Sequence, residues 1–442
     1  MKTLKTSILF TILIFILSCT KTEFDEFDVP SSGSADFSNY ISIGSSFSQG
    51  FQDGGLHNEF NQQSNSYPAI IAEQMSVNFL QPLVQGEVSG YMHLAYINEK
   101  IEIIKVFDCE KNDNHPLAKT YDPSFLTWAN KSLPYNNMAI AGLNVRNVIA
   151  FNPTDAITNF ILFDSGTPNN ELAWNCVAGE PINPYGRFLS FGTIGSPIDY
   201  IKHIKDRKAT FFTNWLGIQD AMGWANAGGD EVSGSSPLTP IAEFRAKYDA
   251  LLDTLKLTAT GGVCATVHDI TKSPFFNTVT LEVLDKDIWI KEGADTNIIR
   301  KAVEGDLFLL SSSSLLKTGV GLTQQNPLPH TEVLDKDEVA IVKNYINAIN
   351  AEIRASTLAH GYFIVDLYQF MEQLNSNDGV DFDGISFSPE FIKGGLYSID
   401  GVHPNQRGYA MIANEYIKII NQNYGSNLKP VAISDFRGIT FP

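Results

Sequence analysis

The chain has 442 residues, 43% of them hydrophobic and 18% charged, which is the composition of a globular protein large enough for one sizeable core or two ordinary ones. Its formal net charge is −18, with no run of Lys or Arg to offset it, so a nucleic-acid backbone is excluded as a natural partner.

In chain order, Lys2 and Lys5 form a basic start and Ile8 to Leu17 a short apolar core. Spanning a bilayer as a helix takes roughly 20 apolar residues, so this stretch reads as an export signal. It ends in Ile16-Leu17-Ser18-Cys19. That ending resembles a bacterial lipobox, which implies residues 1–18 as a signal peptide and Cys19 as a lipidated first residue. The alternative is a signal cut nearby with an incidental cysteine. Residues 19–39 are acidic and then rich in Ser and Gly, and they read as a flexible tether. The acidic start of this tether also resembles the surface-export signals of Bacteroidetes lipoproteins. The expected location is the outer membrane, lipid-anchored, with a tether that allows surface exposure. Cys109, Cys176 and Cys264 remain and show no CxxC spacing. They predict neither a zinc site nor a redox pair.

Short apolar runs then alternate with longer segments of helical pattern. The strand candidates are 40–44, 136–142, 209–217, 262–268 and 361–367. The helix candidates between them include "SYPAIIAEQM", "PIAEFRAKYDALLDTLKL" and "DEVAIVKNYINAINAEIRAS", the last with Val339, Val342, Ile346, Ile349 and Ile353 on one face. Uninterrupted apolar strands between amphipathic helices predict a mostly parallel sheet covered on both faces. Ligands of such sheets gather where the loops leave the carboxyl ends of the strands. Residues 40–442 read as a single domain with insertions near 76–130 and 272–335, where Pro, Gly, Asn and Ser cluster; these are lids, walls or surface decoration.

"YISIGSSFSQG" (40–50) raises the question of a nucleophile, because an apolar run ends in Gly-Ser-Ser. A serine hydrolase needs a hydroxyl, a base, a group that orients the base, and donors for the oxyanion. Asp400 and His403 stand three residues apart in "DGVHPNQRGY", a turn feeding a helical pattern through Tyr409, Ile412, Tyr416, Ile419 and Ile420. Alone, that turn reads equally as a polar helix cap.

The four blocks together resemble the SGNH/GDSL hydrolase family. "IGSSFSQGF" stands at its Gly-Asp-Ser-Leu block, "NMAIAGLNV" at its second, "TNWLGIQDAMGWA" at its Gly-x-Asn-Asp block and "DGVHPNQRGY" at its Asp-x-x-His block. The stretch "SPFFN" and the C-terminal half resemble a Bacteroidetes outer-membrane lipoprotein branch of it. The resemblance implies a three-layer α/β/α sandwich with a five-stranded, mostly parallel sheet of flavodoxin-like style. It also implies ester hydrolysis through an acyl-enzyme, with no cofactor and no metal. Ser46 would be the nucleophile, His403 the base and then acid, and Asp400 the orienting carboxylate. The backbone N–H groups of Ser46 and Gly142 and a side-chain amide at Gln219 would bind the oxyanion.

Two residues depart from the pattern. Ser45 stands where the family has aspartate, and its hydroxyl is expected to support the turn. Gln219 stands where the family has asparagine, one methylene shorter. The rival expectation is a catalytically weak or inactive protein that keeps the fold and acts as a surface binding or structural subunit with an outer-membrane protein partner. Seven further histidines (His57, His93, His115, His203, His268, His330 and His360) are scattered without metal-ligand spacing. His203 is expected on an exposed helix face, Asp220 at a helix start and "GFQDGG" (50–55) as a loop at the mouth of the site. Phe47, Trp215 and Trp224 are expected in the core or lining a pocket.

Overall fold

A computed structural model describes residues 30–57, 59–83, 91–105, 134–149, 199–230, 237–293, 298–376 and 379–442. The lipobox, Cys19, Cys109 and Cys176 lie outside these residues, as does much of the 76–130 insertion.

Four strands form the central sheet: β1 (Tyr40–Gly44), β2 (Phe211–Trp215), β3 (Gly261–Ala265) and β4 (Phe363–Val365). They lie in that spatial order and every neighbouring pair is parallel. All residues of β1, β2 and β3 are buried, as uninterrupted apolar strands under two helical layers require. The fifth strand expected at 136–142 takes a looser form. Residues 136–140 run parallel to β1 through Ser42 N–H to Asn136 O, Met138 N–H to Ser42 O and Ile140 N–H to Gly44 O. Only the Ser42–Asn137 bridge has regular strand geometry. With this segment outside β1, the chain order of the layer is 2-1-3-4-5, the doubly wound arrangement whose ligand crevice lies at the switch point beside the first strand.

Among the described residues, the helices of eight residues or more are α1 (Tyr67–Gln74), α2 (Tyr200–Arg207), α3 (Ile218–Ala225), α4 (Ile241–Lys256), α5 (Lys336–Ala359), α6 (Leu367–Leu374) and α7 (Gln406–Tyr424). α5 packs against α3 and α4, and α2 against α4, whereas α7 packs against α1 and β4. The sandwich therefore has three layers. In α5 the predicted apolar stripe, Val339 to Ile353, is buried, and Asp335 with Glu338 closes a capping box at its start. In β3, a Cβ on Gly262 would stand 2.2 Å from the Phe212 ring, so the glycine lets that ring pack edge-on against Tyr362.

Part of the presumed tether belongs to the fold. Phe37 is buried with its ring 4.9 Å from Phe211, Ser34 N–H bonds to Tyr424 O, and the Asn39 amide holds the carbonyls of Arg207 and Lys208. Within 272–335, Val279, Ile288, Ile290, Phe308, Leu316, Leu328 and Val333 form a small apolar cluster of their own. The described part of 76–130 includes an antiparallel hairpin, Met92–Ile97 with Lys100–Lys105.

Candidate active site

Because the sheet is parallel, the carboxyl ends of its strands share one edge; Ser46 follows β1, Gly142 follows the 136–140 segment and Gln219 follows β2, whereas Asp400 and His403 lie in the turn before α7. Ser46 comes two residues after β1 and starts a helical turn, Ser46–Gln49. Its N–H is therefore one of the first-turn donors that the helix itself leaves unpaired. The turn is tight: the Ser45 carbonyl accepts from Ser48 and Gln49 N–H, and the Ser46 carbonyl from Phe51 N–H. The Ser45 hydroxyl is buried without a hydrogen-bond partner. The expected support thus comes from the Ser45 backbone and not from its side chain.

The structure brings Ser46, His403 and Asp400 together. Ser46 Oγ lies 2.9 Å from His403 Nε2, and His403 Nδ1 lies 2.8 Å from Asp400 Oδ2. Asp400 Oδ1 accepts the N–H groups of Val402 and His403, both at 2.8 Å, so the carboxylate folds its own turn around the histidine. Burial works to raise the Asp400 pKa, but the adjacent His403 and these hydrogen bonds outweigh it and the net shift is downward. The carboxylate is held as an anion. His403 is fully buried, with the Phe47 and Phe51 rings 4.6 and 4.7 Å from its own.

The segment 50–55, expected at the mouth, is instead folded beneath the triad. Gly54 N–H donates to Asp400 Oδ2 at 3.1 Å, Asp53 N–H donates to Ser398 Oγ, and Asp53 Oδ1 accepts Ile399 N–H. Phe51, Gln52 and Asp53 are buried.

The three elements expected to supply oxyanion donors are tied to one another by side chains. Gln49 Oε1 accepts Ala141 N–H, and Asn137 Nδ2 donates to Ser48 O, which fastens the serine turn to the segment leading into Gly142. Gly142 takes φ +83°, a left-handed conformation that suits glycine. Gln219 lies in the first turn of α3, just beyond β2, and is 2% exposed. Its Nε2 is buried without a hydrogen-bond partner, so among the described residues an amide donor stands free at this edge. Asp220 sits in the first turn as expected, but its carboxylate also binds Val145 N–H and the Thr239 hydroxyl.

Other expectations sort themselves by packing. Phe47 and Trp215 are fully buried and 5.2 Å apart, Trp224 is buried, and Cys264 is a buried free thiol. His203 is half-buried on α2 rather than exposed. One residue near the triad carried no role in the sequence reading. His268, three residues past β3, is buried beside Phe47 and Trp215. Its only sequence signal was a polar residue closing an apolar run at a strand end.

A sequence model of the GDSL-like lipase/acylhydrolase family matches residues 40–416. A search of curated proteins finds no match. Among solved structures, the chain is similar to the acetylxylan esterase Axe2 from Geobacillus stearothermophilus at 10% identity and a TM-score of 0.35, over 89% of this chain and 98% of that one. It is likewise similar to an extracellular lipase from Streptomyces rimosus at 13% identity and a TM-score of 0.32, over 87% and 99% of the two chains. Similarity at that level carries no residue role or substrate across.

Proposed function

The chain belongs to the GDSL-like lipase/acylhydrolase family, and from that premise we propose that it hydrolyses a carboxylic ester through an acyl-enzyme on Ser46. The observation that carries this reading is the continuous relay Ser46 Oγ–His403–Asp400, at 2.9 and 2.8 Å. Both separations are hydrogen-bond lengths, as a nucleophile, its base and the orienting group require.

Ser46 Oγ attacks the ester carbonyl as His403 Nε2 takes its proton. Asp400, already an anion, stabilises the imidazolium and keeps Nδ1 as the protonated nitrogen. The negative oxygen that develops is met by the N–H groups of Ser46 and Gly142 and by Gln219 Nε2. Collapse expels the alcohol, which takes its proton from His403. Water then repeats the sequence on the acyl-enzyme and releases the acid. The longer Gln219 side chain performs the amide's task because α3 is fixed to the Gly142 loop through Asp220 and Val145.

The lipobox at Cys19 and the acidic stretch after it support a lipid-anchored protein of the bacterial outer membrane, in the Bacteroidetes branch of the family. Replacing Cys19 by Ala should move the protein from the membrane fraction to the soluble one; unchanged fractionation would refute the anchor.

Activity is tested on the soluble part from residue 32 onward, with fluorophosphonate labelling and turnover of p-nitrophenyl acetate and octanoate beside Ser46→Ala. Label and turnover should both vanish in the variant. A folded wild-type protein that takes no label would sink the esterase reading and leave the surface-subunit one.

A further inference from the structure

His268 stands beside the triad with no part in the relay. The residue is 1% exposed, and neither Nδ1 nor Nε2 has a hydrogen-bond partner among the described residues. The ring centroid lies 5.5 Å from that of Phe47, the residue after Ser46, and 5.9 Å from that of Trp215. The same Phe47 ring lies 4.6 Å from His403, so one phenyl ring neighbours both imidazoles.

Burial lowers the pKa of His268 to about 4, with the charge of His403 acting in the same direction. At neutral pH the ring is therefore uncharged and offers one N–H donor and one nitrogen lone pair. A phenylalanine would fill this aromatic surrounding without leaving two polar atoms unpaired, and buried polar atoms of native proteins normally have partners.

The backbone beneath the imidazole is fixed on both sides. Asn350 of α5 clasps the residue before it, accepting Val267 N–H at 2.7 Å and donating to Val267 O at 2.8 Å. Asp269, the residue after it, accepts both the N–H and the hydroxyl of Thr271. The ring is thus held in place with its hydrogen bonds unmade, as a binding group awaiting a partner would be.

Building on the esterase reading, we propose that His268 is a substrate-binding residue that hydrogen-bonds a hydroxyl group of the ester, so that the site selects partly acylated polyols over plain alkyl esters. A hydroxyl both donates and accepts, and so matches a neutral imidazole in either tautomer. An alkyl chain at the same place would leave both nitrogens unpaired, and a site built to bind a hydroxyl discriminates strongly against such an analogue.

The test compares kcat/KM for glyceryl monoacetate and propyl acetate, two acetates of three-carbon alcohols that differ in two hydroxyls. Acetate release is followed by titration for the wild type, His268→Phe and His268→Gln, with fluorophosphonate labelling of Ser46 in parallel. The wild type should favour glyceryl monoacetate. His268→Phe should reduce that preference roughly 10- to 100-fold, and His268→Gln, which retains a donor and an acceptor, should restore part of it. A wild type that labels but shows no preference overturns the proposal and leaves the esterase reading standing. So does a ratio that stays constant while both rates fall together in the two variants, which would make His268 a packing residue. A wild type that neither labels nor turns over either ester removes both readings.

Discussion

The Asp220 carboxylate accepts the backbone N–H of Val145 at 2.9 Å. Asp220 follows Gln219 on α3, and Val145 lies three residues past Gly142, so a single hydrogen bond locks together two of the three elements proposed to present oxyanion donors. Asp220→Ala would leave that buried N–H unpaired, at about 1–3 kcal/mol of stability. A drift of about 1 Å between the donors would lower kcat by about 10²-fold. Steady-state kinetics and thermal melting of the variant check both figures. A kcat within a factor of two of wild type would show that the lock is dispensable.

The same carboxylate gives stability a pH dependence. Burial raises its pKa from 3.8 to about 6, against the opposing hydrogen bonds from Thr239 and Val145. The folded value lies above the unfolded one, so its contribution to stability is full below 3.8 and is lost as pH rises through about 6. The loss amounts to about 3 kcal/mol at most. Asp220→Asn, neutral throughout, should flatten the melting profile between pH 4 and 6.5. A profile parallel to that of wild type would place the titration elsewhere.

Gln219→Ala removes the free amide from the proposed oxyanion site. A cut in kcat of about 10²–10³-fold is expected, with KM little changed, because the interaction forms only as negative charge develops. Gln219→Asn draws the amide back by one methylene and should fall between the two. Equal kcat in all three proteins would assign oxyanion binding to the backbone groups alone.

Gly44, the last residue of β1, has no room for a side chain. A Cβ there would stand 2.0 Å from Ser48 Oγ, whose hydroxyl is bonded to Tyr67 at 2.9 Å. Gly44→Ala must therefore displace the serine turn. Overpacking of this kind costs about 1–3 kcal/mol, and Ser46 should lose its fluorophosphonate label even in the fraction that folds. Full labelling would show that the turn yields without disturbing the nucleophile.

Much of this site was legible in the chain because its motifs are local. Asp400 and His403 share one turn, and Ser46 and Gln219 each lie in a first helical turn just past an apolar strand. Relationships formed between distant segments were not legible. Gly54 donates to a carboxylate 346 residues away, and nothing in "GFQDGG" marks it as a support and not a rim. The Ser45 hydroxyl was expected to bond because hydroxyls in turns often do; here the backbone carbonyl takes both donors first. Strand 136–142 had the right residues, but it lies outside β1 and pairs there through only three ladder bonds. Residues 31–39 read as tether on composition alone, which could not foresee that Phe37 would find Phe211.

Ser46 and His403 are separated by 357 residues of chain. A ribosome adding about 5–20 residues per second makes the serine turn roughly 20 to 70 s before the histidine that would activate it. Until then the hydroxyl is an ordinary alcohol. Under the proposed mechanism, the nascent chain is therefore chemically silent until α7 docks and brings its preceding turn to the end of β1.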